Sequence, residues 1–150
     1  MNNNRPLQAK DLMLGDWVLW GYTTASGVKV GGYKMQVAAV YQDDLVDLID
    51  SDSYYEHVPM DEVEAIPLTE AILDKNCADV RKDEYNRSYQ WTWERPVGYV
   101  ELATWADGTS ISEGFYFSCN GGEYAIMILH YVYELQHALR LAGIGKEIEL

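Results

Sequence analysis

The chain has 150 residues, of which 48% are hydrophobic and 23% are charged, which is the composition of a folded protein and not of a disordered one. Its formal net charge of −13 at pH 7 disfavours direct binding to nucleic-acid phosphates or to anionic lipids. The N-terminus lacks an apolar signal core, and no stretch approaches the roughly 18 apolar residues of a membrane span. We therefore expect a cytoplasmic protein whose cysteines, Cys77 and Cys119, are reduced.

The N-terminal part of the chain, 1–66, is predicted to form a small β-rich subdomain. Short apolar runs that follow turn residues predict four strands, over 17–20, 35–41, 45–49 and 54–58. Three glycines, Gly27, Gly31 and Gly32, predict a long loop over 23–34. Short strands at this spacing favour a strongly bent sheet, and we expect an SH3-like small barrel.

The second part, 67–150, begins with a predicted short helix from Glu70 to about Asn76, which Thr69 can cap. The charged segment 79–86 is predicted to be a loop. An antiparallel β-meander follows, with strands expected over 89–94, 98–105, 113–118 and 124–129. Its turns are predicted at Asp107-Gly108 and Asn120-Gly121-Gly122.

The last element is a predicted helix over about 130–142, with Gly143 just past its end. An apolar stripe should pack this helix on the meander, and it consists of Ile128, Val132, Leu135, Leu139 and Ala142. The alternating segment 146–150 could add an edge strand. The predicted fold class is α+β, mostly β, in which 1–66 and 67–150 form either two domains or two halves of one core.

The acidic residues are concentrated in one interval. No Lys or Arg lies between Lys34 and Lys75, whereas eleven Asp and Glu do. The first candidate interaction surface is the acidic flank, formed by Asp43, Asp44, Asp47, Asp50 and Asp52. Its charge would complement a basic protein. A calcium loop is disfavoured, because a loop that starts at Asp50 has Tyr55 where an EF-hand requires glycine.

Tryptophans provide a second candidate surface. Trp91 and Trp93 share one strand face, and Trp105 follows in the next predicted strand. Such a group can form a platform that stacks sugars, bases or proline-rich peptides. The other interpretation, which we favour, is that these side chains pack against the last helix, because exposed aromatic patches are uncommon.

Catalytic and metal-binding patterns are weak in this chain. His130, Glu134 and His137 have helical spacing, but they fall opposite the apolar stripe, where no enclosing shell for a metal is expected. Cys119 precedes a mobile glycine turn, and its default interpretation is a small half-buried residue. The glycines form no nucleotide-binding motif. We therefore predict no catalytic residue, no cofactor and no metal.

Three segments, in order, resemble a known pattern. They are LMLGDWV at 12–18, IPLTEAIL at 66–73, and YVYELQ at 131–136 followed by GKEIEL at 145–150. The set resembles a family of uncharacterised small proteins of gut anaerobic bacteria and their phages or mobile elements, with the pattern LRIGNxV … IPLTEEIL … YVHxLQN … TGKELEI. Tyr133 replaces the His of the pattern and His137 replaces its Asn. The resemblance implies a genomic setting and no particular activity.

These observations favour a non-enzymatic protein-interaction module, encoded by a phage or mobile element, that binds an unidentified protein partner. Two alternatives stay open. The chain could bind a sugar or peptide on a Trp/Tyr face, or its acids could imitate nucleic-acid phosphates and inhibit a DNA-binding protein. An enzyme that uses Cys119 and a histidine is the least supported interpretation.

Overall fold

A computed structural model describes residues 5–83, 88–93, 98–104, 113–119 and 124–150. It is an α+β protein made mostly of strands, and it divides into two compact units, Met1–Ile66 and Pro67–Leu150. Each unit contains a five-stranded antiparallel sheet. Within the described ranges, no helix is long and apolar enough to cross a membrane.

The N-terminal sheet has the strand order β4-β3-β2-β1-β5. Its strands are β1 Trp17–Thr23, β2 Lys29–Val40, β3 Leu45–Ile49, β4 Tyr54–Pro59 and β5 Val63–Ala65. Two single-turn 3-10 helices accompany them, at Ala9–Asp11 and Met60–Glu62. The predicted strand over 45–49 is confirmed with the same bounds. Closure into an SH3-like barrel is not confirmed, because β4 and β5 are the two edges of an open sheet in this fully described stretch.

The predicted loop over 23–34 is wrong, because β1 and β2 continue as a long hairpin. Only 24–28 form its turn. The glycines permit this pairing: a Cβ on Gly21 would lie 2.8 Å from the Cα of Gly31 on the facing strand, and Gly32 has a φ of +82°. These residues therefore allow close backbone approach and a local bend within a strand, and they do not end it.

One face of the N-terminal sheet is apolar and buried. Cross-strand pairs occupy it, namely Val18 with Met35, Val37 with Leu48, and Val46 with Val58, and each of these six side chains is buried. Because alternate residues of a strand point to the same face, this inner face continues from Val18 to Trp20 and from Met35 to Tyr33.

The C-terminal sheet is the predicted meander, with the order β10-β9-β8-β7-β6. Its strands are β6 Asp79–Asp83, β7 Ser88–Thr92, β8 Gly98–Thr104, β9 Glu113–Cys119 and β10 Tyr124–Leu129. The predicted loop over 79–86 is wrong for 79–83, because β6 pairs with β7 along its whole length. Residues 84–86 and the predicted turns at 107–108 and 120–122 lie outside the described residues.

Two helices complete this unit, α1 Glu70–Asn76 and α2 Val132–Leu141. The predicted cap is confirmed, since Thr69 Oγ1 accepts a hydrogen bond from the Ile72 amide at 3.3 Å. Gly143 follows α2 with a φ of +75°. Val132, Leu135 and Leu139 form the buried stripe of α2, but Ile128 lies on β10 and is exposed, so its assignment to the stripe is wrong.

The C-terminal segment 144–150 is not the predicted edge strand, since it has no regular secondary structure. The buried Asn76 amide holds it instead. Asn76 Nδ2 donates to the Glu149 carbonyl at 2.8 Å, and Asn76 Oδ1 accepts from the Glu149 amide at 2.7 Å. One side chain therefore replaces the pairing that a neighbouring strand would supply.

Candidate functional site

An aromatic cluster lies where the inner face of the N-terminal sheet reaches the surface. Its members are Trp20, Tyr22, Tyr33 and Tyr55. Trp20 is central, with ring centroids 5.3 Å from Tyr22, 6.1 Å from Tyr33 and 4.4 Å from Tyr55. The rings are tilted against one another by 36° to 45° and are not stacked flat. Their faces are consequently available from several directions.

The contact between Trp20 and Tyr55 requires a curled sheet. Trp20 is on β1 and Tyr55 is on β4, three strands away in the order of the sheet. In a flat sheet these positions would be about 14 Å apart, because neighbouring strands are separated by about 4.8 Å. The two ring centroids instead lie 4.4 Å apart, so the two long side chains lean towards each other across a bent inner face.

The cluster is open to solvent. Tyr33 is 47% exposed, while Tyr22 and Tyr55 are each more than a third exposed. Together with Trp20, Met35 and Asp50 these three tyrosines line a groove of about 430 Å³, which we call the aromatic groove. Neighbouring exposed aromatic side chains of this kind are characteristic of binding surfaces.

Carboxylates adjoin the cluster on two sides. Trp20 Nε1 donates to Glu62 Oε2 at 3.0 Å. Asp50 lines the aromatic groove, and its Oδ1 accepts from the Asp52 amide at 2.8 Å and the Ser53 amide at 2.7 Å. A second groove, of about 370 Å³, shares Trp20 and Tyr22 with the first and is lined by further acids, Asp61, Glu62 and Glu64. Carboxylates therefore flank the aromatic rings on two sides.

These acids have no cation of their own. In residues 43–64, all of which the structure describes, no carboxylate forms an ion pair with another described residue. Elsewhere in the described part of the chain, ion pairs join Arg5 to Asp11, Arg81 to Asp79, and Lys82 to Glu70 and Asp74. Lys29 lines the second groove, yet no ion pair links it to the acids there.

The acidic flank is only partly a surface. Asp43, Asp44, Asp50 and Asp52 are exposed, and Asp44 Oδ1 accepts from the Ala9 amide at 2.7 Å. Asp47 is the exception, since only 3% of it is exposed. Its inclusion in an interaction surface is therefore wrong. Val46 and Leu48 point to the inner face and Asp47 to the opposite one, where Tyr41, Tyr54 and the His57 amide contact its carboxylate.

Asp47 has a structural role instead. Its carboxylate accepts hydrogen bonds from the Tyr41 hydroxyl at 2.9 Å, the Tyr54 hydroxyl at 2.6 Å and the His57 amide at 2.8 Å. Burial by itself would raise the pKa of Asp47, but these hydrogen bonds favour the charged form more strongly and lower the pKa. The same interaction raises the pKa of Tyr54 to about 12.

The predicted tryptophan platform is not a surface. Trp91 and Trp93 are both buried, Trp91 completely, so they belong to the core of the C-terminal unit and cannot stack a ligand. Trp91 Nε1 donates to Asp74 Oδ1 at 2.7 Å. The Nε1 of Trp93 has no hydrogen-bond partner among the described residues. Trp105 lies outside them.

Other reactive groups do not converge. His130 is exposed, and Glu134 Oε2 accepts from the His130 backbone amide at 2.9 Å instead of facing a histidine ring. Among the described residues no three His, Cys, Asp or Glu side chains come together in an arrangement that could hold a metal. Burial raises the pKa of the Cys77 thiol to about 12, which makes it a poor nucleophile. Cys119 ends β9, and its side chain is not described.

The aromatic cluster was absent from the sequence-based prediction. A signal for it exists, because Val18, Trp20 and Tyr22 alternate with period two, as do Tyr33, Met35 and Val37. The predicted loop over 23–34 includes Tyr33, so the pattern on β2 is not recognised as part of a strand that pairs with β1. The contact with Tyr55 depends on the curl of the sheet, which no local pattern indicates.

Comparison of the chain with models of protein families, with curated protein sequences and with solved structures found no match.

Proposed function

We propose that the protein is a non-enzymatic interaction module that binds a basic partner protein through its N-terminal unit. The main observation is that exposed aromatic rings lie next to carboxylates that form no ion pair with any described residue. Unpaired surface charge promotes encounter with a complementary partner, and aromatic side chains supply the contact area that holds it. The resemblance of the segments 12–18, 66–73, 131–136 and 145–150 supports an origin in a phage or mobile element.

The proposal includes an SH3-like small barrel as the scaffold of this surface. Two features of the N-terminal sheet support it. Its strand order is β4-β3-β2-β1-β5, and a 3-10 turn at Met60–Glu62 connects β4 to β5 along the chain. Its inner face bends so that the ring of Trp20 contacts the ring of Tyr55. A sheet that is strongly bent in this way presents its concave end as a binding surface.

Nucleic-acid mimicry has less support than protein binding. A mimic of phosphates needs a row of free carboxylates, whereas Asp47 is buried and Asp44 and Asp50 each accept backbone hydrogen bonds. Binding of a small sugar or peptide at a Trp/Tyr face is better supported at Trp20 than at Trp91, since only Trp20 borders an open groove. That groove belongs to the same surface that would bind the partner protein.

A pair of charge variants tests the proposal. Asp43→Asn/Asp52→Asn removes two exposed acids from the N-terminal unit, and Glu147→Gln/Glu149→Gln removes two exposed acids from the C-terminal unit. Both variants change the net charge equally. We expect the first to weaken binding to fluorescently labelled arginine-rich peptides roughly three- to tenfold, as loss of charge pairs at an interface does, and the second to change it little. Equal weakening by both variants would show that only the total charge matters and would contradict the proposal.

A further inference from the structure

The C-terminal unit contains a tryptophan–carboxylate pair that is complete with its own cation. Trp91 Nε1 donates to Asp74 Oδ1 at 2.7 Å. Lys82 Nζ donates to the other oxygen of Asp74 at 2.8 Å and lies 5.7 Å from the centre of the Trp91 ring. The same ammonium group therefore compensates the carboxylate and interacts with the aromatic face.

The N-terminal unit repeats two of these three parts. Trp20 Nε1 donates to Glu62 Oε2 at 3.0 Å, which matches the indole–carboxylate hydrogen bond of Trp91 and Asp74. No described cation forms an ion pair with Glu62 or with Asp50. The rings of Tyr22, Tyr33 and Tyr55 add further aromatic faces around Trp20. Glu62 lines the second groove and Asp50 lines the aromatic groove, and neither carboxylate has the ion pair that Lys82 gives to Asp74.

We infer that the aromatic groove binds the guanidinium group of an arginine side chain supplied by the basic partner protein. This inference rests on the proposed function and names the group that the N-terminal unit recognises. A planar guanidinium stacks on an aromatic ring and at the same time donates to a carboxylate, and it is less strongly hydrated than an ammonium. The tilted rings of the aromatic groove provide faces for stacking, and Asp50 in its lining provides the carboxylate.

The groove is large enough to admit a side chain of the partner protein. Its volume is about 430 Å³, which is near the lower end of the range for small-molecule sites. Met35, which is buried, contributes to its lining, and the exposed rings of Tyr33 and Tyr55 leave it open to solvent. An arginine that reaches in from a partner surface can place its methylene groups against the rings and its guanidinium beside Asp50.

A set of three labelled peptides tests the inference. They share one sequence and differ only in whether the charged positions hold arginine, lysine or citrulline, which is uncharged and nearly isosteric with arginine. We expect the arginine peptide to bind the full chain more tightly than the lysine peptide, and the citrulline peptide to bind weakest. Fluorescence anisotropy measures all three affinities. Equal binding of arginine and citrulline would overturn recognition of a cation, and equal binding of arginine and lysine would overturn the assignment to arginine.

Three variants connect binding to the groove. Tyr33→Leu and Tyr55→Leu remove exposed rings while keeping apolar bulk, and each should weaken arginine-peptide binding roughly two- to fivefold, the loss expected for one cation–π contact. Asp50→Asn keeps the oxygen that accepts the turn amides and removes the charge, and we expect a similar loss. Tyr133→Leu on α2 is the matched control and should have no effect. Amide NMR spectra verify that each variant is folded.

The outcomes separate the two proposals. If Asp43→Asn/Asp52→Asn weakens binding while the three groove variants do not, the arginine site is wrong and the basic-partner interface stands. If none of the three peptides binds more tightly than a matched acidic peptide, the proposed function itself is wrong. Loss of binding in the groove variants together with preference for arginine over citrulline supports both proposals.

Discussion

The two units use the same interaction in opposite ways. In the C-terminal unit the indole of Trp91 is buried, and its partner Asp74 is neutralised by Lys82. In the N-terminal unit the indole of Trp20 borders an open groove, and its partner Glu62 has no described cation. In the C-terminal unit the tryptophan–carboxylate pair is part of a core and has an internal cation, whereas in the N-terminal unit we propose that a partner supplies the cation.

Truncation of the two tryptophans should separate the two roles most clearly. Trp91→Ala should lower the free energy of unfolding by about 3–5 kcal/mol, the usual loss for a large aromatic side chain removed from a core. Trp20→Ala should cost only about 1–2 kcal/mol, because the ring is not fully buried. Urea denaturation measures both values.

Binding should show the reverse order for these tryptophans. Trp20→Ala should abolish preference for the arginine peptide, while any loss in Trp91→Ala should follow only the fraction of unfolded protein. A larger loss of stability in Trp20→Ala than in Trp91→Ala would contradict the assignment of Trp91 to a core and of Trp20 to a binding surface.

Removal of the buried carboxylate at position 47 should have the next largest effect. Asp47→Ala leaves the hydroxyls of Tyr41 and Tyr54 and the amide of His57 without their acceptor. We expect a loss of about 2–4 kcal/mol in the free energy of unfolding, because each hydrogen-bond donor left without an acceptor has a desolvation cost. The exposed Asp43→Ala should change stability by less than about 0.5 kcal/mol. Similar losses of unfolding free energy in both variants would show that Asp47 contributes no more to stability than an exposed acidic residue.

The acid sensitivity of the two units should depend on one carboxylate each. The pKa values of Asp47 and Asp74 are lowered in the folded chain, Asp47 by the hydrogen bonds that outweigh its burial, and Asp74 by Lys82 and Trp91. Their stabilising contribution is present above the unfolded pKa of about 3.9 and is lost as the pH falls through the lower folded-state value.

Asparagine variants test whether these two carboxylates cause the acid sensitivity. Asp47→Asn should reduce the acid sensitivity of the N-terminal unit, and Asp74→Asn that of the C-terminal unit. Hydrogen exchange measured along the chain at several pH values below about 5 reports the two units separately. If both variants keep the acid sensitivity of the unchanged chain, other groups must cause it.

Removal of the internal cation should have the smallest effect on stability. Lys82→Met should raise the pKa of Asp74 towards its ordinary range, because Lys82 is the main cause of its lowering. The stability loss should be only about 0.5 kcal/mol, since both side chains are partly exposed and screened by solvent. NMR titration of the Asp74 carboxyl carbon measures the shift in pKa. An unchanged pKa would remove Lys82 as the cation that completes the C-terminal pair.

Local patterns were sufficient to predict much of the fold. The strand Leu45–Ile49, the capped helix Glu70–Asn76 and the strand Tyr124–Leu129 each have a clear apolar run or capping residue, and all three are confirmed. The prediction covers the second half of β2 but misses its first half, because Gly31 and Gly32 resemble turn residues. Gly31 instead lets its backbone approach Gly21 on the opposite strand, and Gly32 adopts a φ of +82° within β2.

The candidate site was less accessible to prediction than the fold. Charge counting identifies the acidic flank but cannot distinguish the buried Asp47 from its exposed neighbours, because the burial of Asp47 depends on its contacts with Tyr41 and Tyr54. The burial of Trp91 and Trp93 agrees with the favoured interpretation of these residues and excludes the alternative platform, whereas the exposed aromatic side chains around Trp20 are a tertiary property that the sequence analysis does not predict. The aromatic cluster combines residues from three strands, and only the curled sheet brings Tyr55 to Trp20.

The most direct test follows the indole N–H signals of the chain by NMR while an arginine peptide is added. Replacement of Trp20 and Trp91 by Phe, one at a time, assigns their two signals. We predict that the Trp20 signal shifts when the arginine peptide is added and does not shift with the citrulline peptide. The Trp91 signal should not shift with either peptide. A Trp20 signal that is unmoved by arginine, or that moves equally with citrulline, would contradict the claim that the N-terminal unit obtains its missing cation from a partner.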